Sequence, residues 1–198
     1  MSKSRAPRVY LESERLVLRY LTEDDADPLH ALDSDPEVMR FLNNGRTHTR
    51  AEIVEDVLPH YLDHHVRYGD SFGFWAAIEK SSGRFLGWFH FRPCRTNPDE
   101  IGLGYRLMRF AWGRGYATEG ARALLRRGFT ELGVDTVVAD TLAGNVRSRR
   151  VMQALGMRLR SEFVLDADEF PEWDSDRRWG VEYVLTRAEW ENALPEVP

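Results

Sequence analysis

The chain has 198 residues, 42% hydrophobic and 12% aromatic, which is enough for a sizeable core and too apolar for a disordered chain. Its net charge of −5 excludes a general attraction to nucleic-acid phosphate, and no apolar run approaches the roughly 18 residues of a membrane span. A single cysteine, Cys94, excludes an internal disulfide and a thiolate zinc cluster, and with Lys3 and Lys80 as the only lysines a Schiff-base mechanism has little to work with.

Residues 1–9 read as an N-terminal arm, and 10–194 as one domain. The basic start Met1-Ser2-Lys3-Ser4-Arg5 leads into no apolar stretch, so the expectation is a cytoplasmic protein without a secretion signal. Arg15 to Leu21 alternates apolar and basic residues, the pattern of a half-buried strand. Thr22 to Asp25 reads as a capping box opening a short helix that ends near Ser34-Asp35-Pro36. Thr49 with Glu52 is a second capping box, ahead of apolar residues at helical spacing, and Pro59 inside that run predicts a kink or break. Phe72 to Glu79 and Arg84 to Arg92 are β-rich and joined by the hairpin signal Lys80-Ser81-Ser82-Gly83.

A third β stretch, Glu100 to Met108, runs into Trp112-Gly113-Arg114-Gly115-Tyr116-Ala117. An amphipathic helix follows, with Ala117, Ala121, Leu124, Leu125, Gly128 and Leu132 on one face and Gly133 closing it. Val134 to Thr141 is a short β-branched run, Asn145 caps a second helix that reaches Leu155, and Gly156 stops it. Met157 to Leu165 and Arg177 to Leu185 are β again, around an acidic loop, and the Thr186–Glu189 capping box opens a short C-terminal helix. The order β-α-α-β-β-β-α-β-α-β-β implies one mixed α/β sheet with helices on both faces.

The segment that carries chemistry is strand, Gly113-x-Gly115-x-Ala117, helix. Glycine and alanine let the backbone bend with its amides exposed, and the helix behind adds unpaired N–H groups and positive dipole character. Together these suit a phosphate or pyrophosphate, with Arg114 as an added charge; the alternative is a bare glycine turn entering a helix. The P-loop pattern fails for want of its lysine. The dinucleotide pattern fails because Thr118 stands at the third glycine position and Asp135 opens the following strand instead of ending it.

Trp112-Gly113-Arg114-Gly115-Tyr116-Ala117-Thr118-Glu119, preceded by Gly104-Tyr105-Arg106-Leu107, resembles the acetyl-CoA loop of the GNAT acetyltransferase superfamily, in the branch of the ribosomal-protein N-terminal acetyltransferases. Asn145-Val146-Arg147-Ser148 through Leu155-Gly156-Met157 resembles the helix that follows there, and Glu14 to Arg19 with Thr22 to Ala26 resembles the first strand and turn. The resemblance implies a GNAT-like domain: a mixed, mostly antiparallel sheet in which the strand ending at Leu107-Met108 parts from the one through Val137-Val138-Ala139. Pantetheine would lie in that gap. The amides of Gly113, Arg114, Gly115, Tyr116, Ala117 and Thr118 would hold the pyrophosphate, and Asn145 would reach the pantetheine arm. A backbone N–H near Leu107 or Met108 would stabilise the oxyanion. The resemblance implies acetyl-CoA as cosubstrate, no metal, and an acceptor that is a small-molecule or peptide primary amine attacked directly in a ternary complex.

Where that branch often carries a glutamate, this chain has Gly102. Glu100, two residues earlier on the same face of a period-2 strand, is the candidate base, acting through a water; its other reading is a solvated strand residue. Ser148 resembles the serine that protonates the leaving thiolate, or it is an ordinary N3 serine at a helix start. Glu119 reads as a capping residue. Loss of the glutamate also keeps open a non-catalytic acyl-CoA-binding module, and the third reading is a nicotinamide-dependent oxidoreductase.

His60 and His64 sit four apart with His65 beside them, yet Tyr61 breaks the zincin pattern, so solvated or half-buried histidines are expected. Cys94 reads as a packing or surface thiol. Asp166, Asp168, Glu169, Glu172, Asp174 and Asp176 form a solvated loop that could attract a cationic amine. Arg147, Arg149 and Arg150 either steer an anionic ligand or solvate their helix, and Trp173, Trp179 and Trp190 read as core or interface anchors. Neither nucleic acid nor membrane is an expected partner; a homodimer is compatible with the sequence but not specified by it.

Overall fold

The computed structural model of the chain describes residues 7–42, 45–168, 173 and 178–193. Eight strands form one sheet in the order β1-β2-β3-β4-β5-β6-β8-β7: β1 (Val9–Glu12), β2 (Leu16–Tyr20), β3 (Gly73–Glu79), β4 (Phe85–Pro93), β5 (Ile101–Leu107), β6 (Thr136–Leu142), β7 (Arg158–Val164) and β8 (Trp179–Thr186). Every pairing is antiparallel except β5 with β6. This is the expected mixed, mostly antiparallel architecture, with β1 added. That strand begins at Val9, within the stretch read as an arm, and is held there because Tyr10 stacks on Trp75 at 3.9 Å.

The helices are α1 (Ala26–Asp33), α2 (Pro36–Met39), α3 (Arg50–Glu52), α4 (Leu58–Tyr68), α5 (Tyr116–Thr130), α6 (Val146–Ala154) and α7 (Arg187–Asn192). All three capping boxes form as the sequence implies. A π-helical turn, Ile53–Val57, joins α3 to α4, and Leu58 N–H bonds back to Ile53 O. Pro59 has no N–H to offer the ladder, and the wide turn just ahead of it absorbs the loss without ending the helix.

Strand periodicity sorts the side chains onto two faces. Trp75, Phe89, Phe91, Leu103 and Leu107 pack against α5 in the larger core. Phe74, Ala76 and Trp88, from alternate positions, pack against α1 and α4 in the smaller one. The smaller core includes a buried ion pair, in which the fully buried Asp33 of α1 meets Arg106 of β5 at 2.5 Å and His48 at 2.9 Å. No described helix is long and apolar enough to cross a membrane.

Candidate active site

The site starts where the sheet opens. β5 and β6 pair at Ile101–Val137 and Gly102–Val138 only, although both strands continue well beyond. Met108 N–H donates to Leu86 O (2.8 Å) and Cys94 N–H to Glu100 O (2.9 Å). Antiparallel alternation then turns the even-numbered residues of β5 toward β4, and the backbone groups of Leu103, Tyr105 and Leu107 toward the gap. Of the two amides expected near the reacting carbonyl, Met108's is therefore spent on Leu86, and Leu107's faces the opening. The Leu107 carbonyl is taken by the Trp112 indole N–H at 2.8 Å, which fixes the loop to the end of the strand.

The glycine loop closes one end of the gap. Gly113 and Gly115 adopt φ of 72° and 83°, left-handed conformations that an L side chain rarely takes. Gly115 is the N-cap of α5, and the first intrahelical bond is Glu119 N–H to Gly115 O at 3.0 Å. The N–H groups of Tyr116, Ala117 and Thr118 thus have no helical acceptor. Arg15 and Glu119 hold this turn in place. Glu119 accepts from Ser13 Oγ, Arg15 N–H and Arg15 Nε, each at 2.7 Å, while Arg15 Nη1 donates to Arg114 O at 3.0 Å. Burial pushes the Glu119 carboxyl up, but the bonds from Ser13 and Arg15 outweigh it and leave the group below its ordinary value. Its work is thus to tie the β1–β2 turn to the helix start, more than the capping expected of it. Tyr116 points away from the gap, its hydroxyl on Glu79. Arg114 leaves its side chain exposed in the loop.

Two polar walls flank the opening. On the α5–α6 face, Asn145 caps α6 by accepting from Ser148 N–H at 3.3 Å and donates to Thr141 Oγ1 at 3.1 Å. Ser148, in the first turn of that helix, neighbours the Tyr105 hydroxyl and lowers its pKa, against burial, which pushes the phenol up further. Exposed Arg147 lies 4.7 Å over the Trp112 ring, so a side chain of α6 reaches the loop across the mouth.

On the α4 face stand Glu100, Gly102, Gly104 and Asp140. Both Glu100 oxygens are engaged by Arg160, at 2.6 and 3.0 Å, and Arg160 also binds Glu182 at 2.6 Å. Asp140 escaped the sequence analysis. It is two residues past the last β5–β6 pair, on the same face as Gly102 and opposite Glu182. Its side chain is exposed at the mouth of the gap; partial desolvation by the surrounding walls, then the Glu182 charge, pushes its carboxyl above the ordinary aspartate value, with Arg92 opposing. A lone aspartate in a β-branched run carries no local signal, which is why it was missed.

The bare position at Gly102 is bordered by Cys94 Sγ, 3.3 Å from where a Cβ would stand, and by His90 Cε1 at 3.9 Å. His90 lies across Gly104 so closely that a Cβ there would fall 2.3 Å from its Nε2. Burial, then the charge of Arg92, lowers His90 to about 3 and His64 to about 4, so both imidazoles are neutral at pH 7. His60 and His64 stack edge-on at 4.9 Å within the α4–Phe74 aromatic cluster. Among the described residues no group of three His, Cys, Asp or Glu side chains could hold a metal ion. Burial and Glu100 raise the Cys94 thiol. Glu169, Glu172, Asp174 and Asp176 of the acidic loop lie outside the described residues. Trp173 is buried, Trp190 packs on Phe129 at 5.4 Å, and Trp179 is exposed.

A splayed strand pair, a glycine-bent helix start and an acid–base wall on either face can hold a thioester in the gap and admit an amine beside it. A family model described as an acetyltransferase (GNAT) domain matches residues 15–158. The chain is 33% identical, over 187 residues, to the FsC-acetyl coenzyme A-N(2)-transacetylase of Aspergillus fumigatus, covering 91% of this chain and 77% of that one. A GNAT-family acetyltransferase from Bacillus anthracis shares the fold with a TM-score of 0.75 at 20% identity, over 90% of this chain and 98% of that one. So does the spermidine N-acetyltransferase of Vibrio cholerae, solved with CoA and spermine, with a TM-score of 0.70 at 13% identity, over 90% and 99%.

Proposed function

The chain belongs to the GNAT acetyltransferase family, as an amine N-acetyltransferase with acetyl-CoA as cosubstrate, and from that premise we propose that it acetylates a small primary amine by direct attack in a ternary complex. The observation that carries this reading is the gap: β5 and β6 part after two residue pairs, and the open edge leads straight to the amides of α5. Held side by side, the two reactants gain about 7–11 kcal/mol at the upper end from orientation alone. The loop motif is similar to that of the ribosomal-protein N-terminal acetyltransferases. The relative in Aspergillus, named for transfer to an N(2) amine, supports a small acceptor over a protein terminus.

In this reading the N–H groups of Gly113 to Thr118 hold the pyrophosphate, and the backbone groups of Leu103 and Tyr105 hold the pantetheine amides. Asn145, its side chain engaged in the α6 cap, borders that arm. The Leu107 N–H meets the carbonyl oxygen as it gains charge. The amine nitrogen bonds to the carbonyl carbon, the carbon–sulfur bond breaks, and the amine gives up one proton. That proton goes to Asp140, because Asp140 borders the gap with its side chain open to an incoming amine, and the neighbouring Glu182 charge strengthens it as a base. Glu100, expected to be the base, instead has its charge shared with Arg160 and serves as a support for that wall. Ser148, backed by Tyr105 on the opposite face, supplies the proton to the leaving sulfur. Acid and base thus stand on opposite sides of the thioester.

Thiol release from acetyl-CoA in the presence of amine pools tests this reading. Asp140→Asn is expected to lower kcat by roughly 10²–10⁴-fold while acetyl-CoA affinity holds, and Glu100→Gln to lower it by less than about tenfold. Full activity in Asp140→Asn overturns the base assignment. Acetyl-CoA binding without thiol release from any amine points to the non-catalytic acyl-CoA module.

A further inference from the structure

Arg92 is the unexplained charge of the site. It projects from β4 onto the α4 face, directly across the ladder from Gly102, with its guanidinium 5.6 Å from the centre of the Phe74 ring. Its Nε is enclosed and has no hydrogen-bond partner, and among the described residues the side chain forms no ion pair. The other arginines on this face have counter-ions: Arg106 pairs with Asp33, although its Nε also lacks a hydrogen-bond acceptor, and Arg160 pairs with Glu100 and Glu182. A half-buried guanidinium without a counter-ion costs free energy, and the same strand and face could have carried a neutral side chain. The register puts it on the same sheet face as Gly102 and Asp140, and its charge is felt by Asp140, His60, His64, His90 and Cys94.

Resting on the transferase reading above, we propose that Arg92 binds a carboxylate carried by the acceptor, so that the substrates are amino acids or amino-acid-like zwitterions. The guanidinium presents paired N–H donors in a plane that matches a carboxylate, and the apolar ring of Phe74 beside it shields that pairing from competing water. Asp140, as the carboxylate, supplies the complementary charge for the ammonium end; that ammonium loses its first proton to solvent before attack, and the second passes to Asp140 in the transfer step. A zwitterion therefore satisfies both unpaired charges of the wall at once, with the amine directed to the gap. Gly102 contributes by its lack of a side chain: a glutamate there would stand beside Arg92, neutralise it and repel the acceptor's carboxylate.

The test is the ratio of kcat/KM for amino acids to that for their methyl esters, measured by thiol release across a panel with wild-type enzyme, Arg92→Gln and Arg92→Lys. The wild type is expected to prefer the acids by about 10- to 100-fold. Arg92→Gln should bring the ratio near one through a higher KM for the acids, and Arg92→Lys should keep part of it. Because each ratio is internal to one protein sample, partial misfolding of a variant cancels. Equal rates for acid and ester in the wild type, or an unchanged ratio in Arg92→Gln, would overturn the carboxylate subsite and leave the transfer reaction standing. No thiol release from any amine would overturn the transfer reading, and the subsite with it.

Discussion

A thiol beside an active site invites a covalent intermediate, and the chemistry around Cys94 argues against one. Burial, and then the Glu100 carboxylate, raises its pKa, so the nucleophilic thiolate is suppressed. Cys94→Ser is expected to keep kcat within about twofold, with no release of thiol ahead of acceptor addition. A burst of thiol stoichiometric with wild-type enzyme, lost in the serine variant, would contradict direct attack. At this scale the sequence is informative wherever a residue's role is a local demand on the backbone. Gly113 and Gly115 were legible because left-handed φ before a helix favours glycine. Asn145 and Thr186 were legible because their caps close within three residues. Asp140, Arg92 and the true partner of Glu100 were not. Each acquires its role from residues far along the chain, Arg160 lying 60 positions from Glu100.

Elements were legible to the extent that periodicity, caps and breakers define them. The amphipathic α5 and the β3–β4 hairpin lie close to where their patterns place them. β1 was not legible, since four residues at a sheet edge give too short an alternation, and its stability comes from Tyr10 on Trp75. Pro59 predicted a distortion and could not say which kind; the i−5 bond of Leu58 is one of several ways to spare the missing donor. The most consequential feature, the parting of β5 from β6, leaves no trace in either strand's own pattern. It arises because the two antiparallel halves of the sheet meet along a single short parallel seam. A family resemblance pointed to the gap; the residues of the two strands alone do not.

Across the whole molecule the buried histidines set an acid limit on stability. His64 and His90 are lowered to about 4 and about 3 by burial and then by Arg92, whereas in the unfolded chain they titrate near the ordinary value of about 6.5. Above that value both states are neutral at these sites and nothing is gained or lost. As pH falls below it, the unfolded chain takes up protons that the folded chain refuses, so folding stability declines until the folded-state values are reached. The guanidinium chloride midpoint is expected to be lower at about pH 5 than at about pH 7.5, the two groups together removing on the order of 4 kcal/mol of folding free energy across that range. An unchanged midpoint would show that these imidazoles are not buried as neutral groups.

In the proposed complex, one opening in the sheet receives the pantetheine arm while the adjacent helix start receives the pyrophosphate. Backbone-amide NMR during a titration with coenzyme A tests it most directly. The largest shifts are expected at the N–H groups of Gly113 to Thr118 and of Leu103, Tyr105 and Leu107, with Met108, already bonded to Leu86, moving less. Saturable binding that leaves those amides in place and perturbs another surface would contradict it.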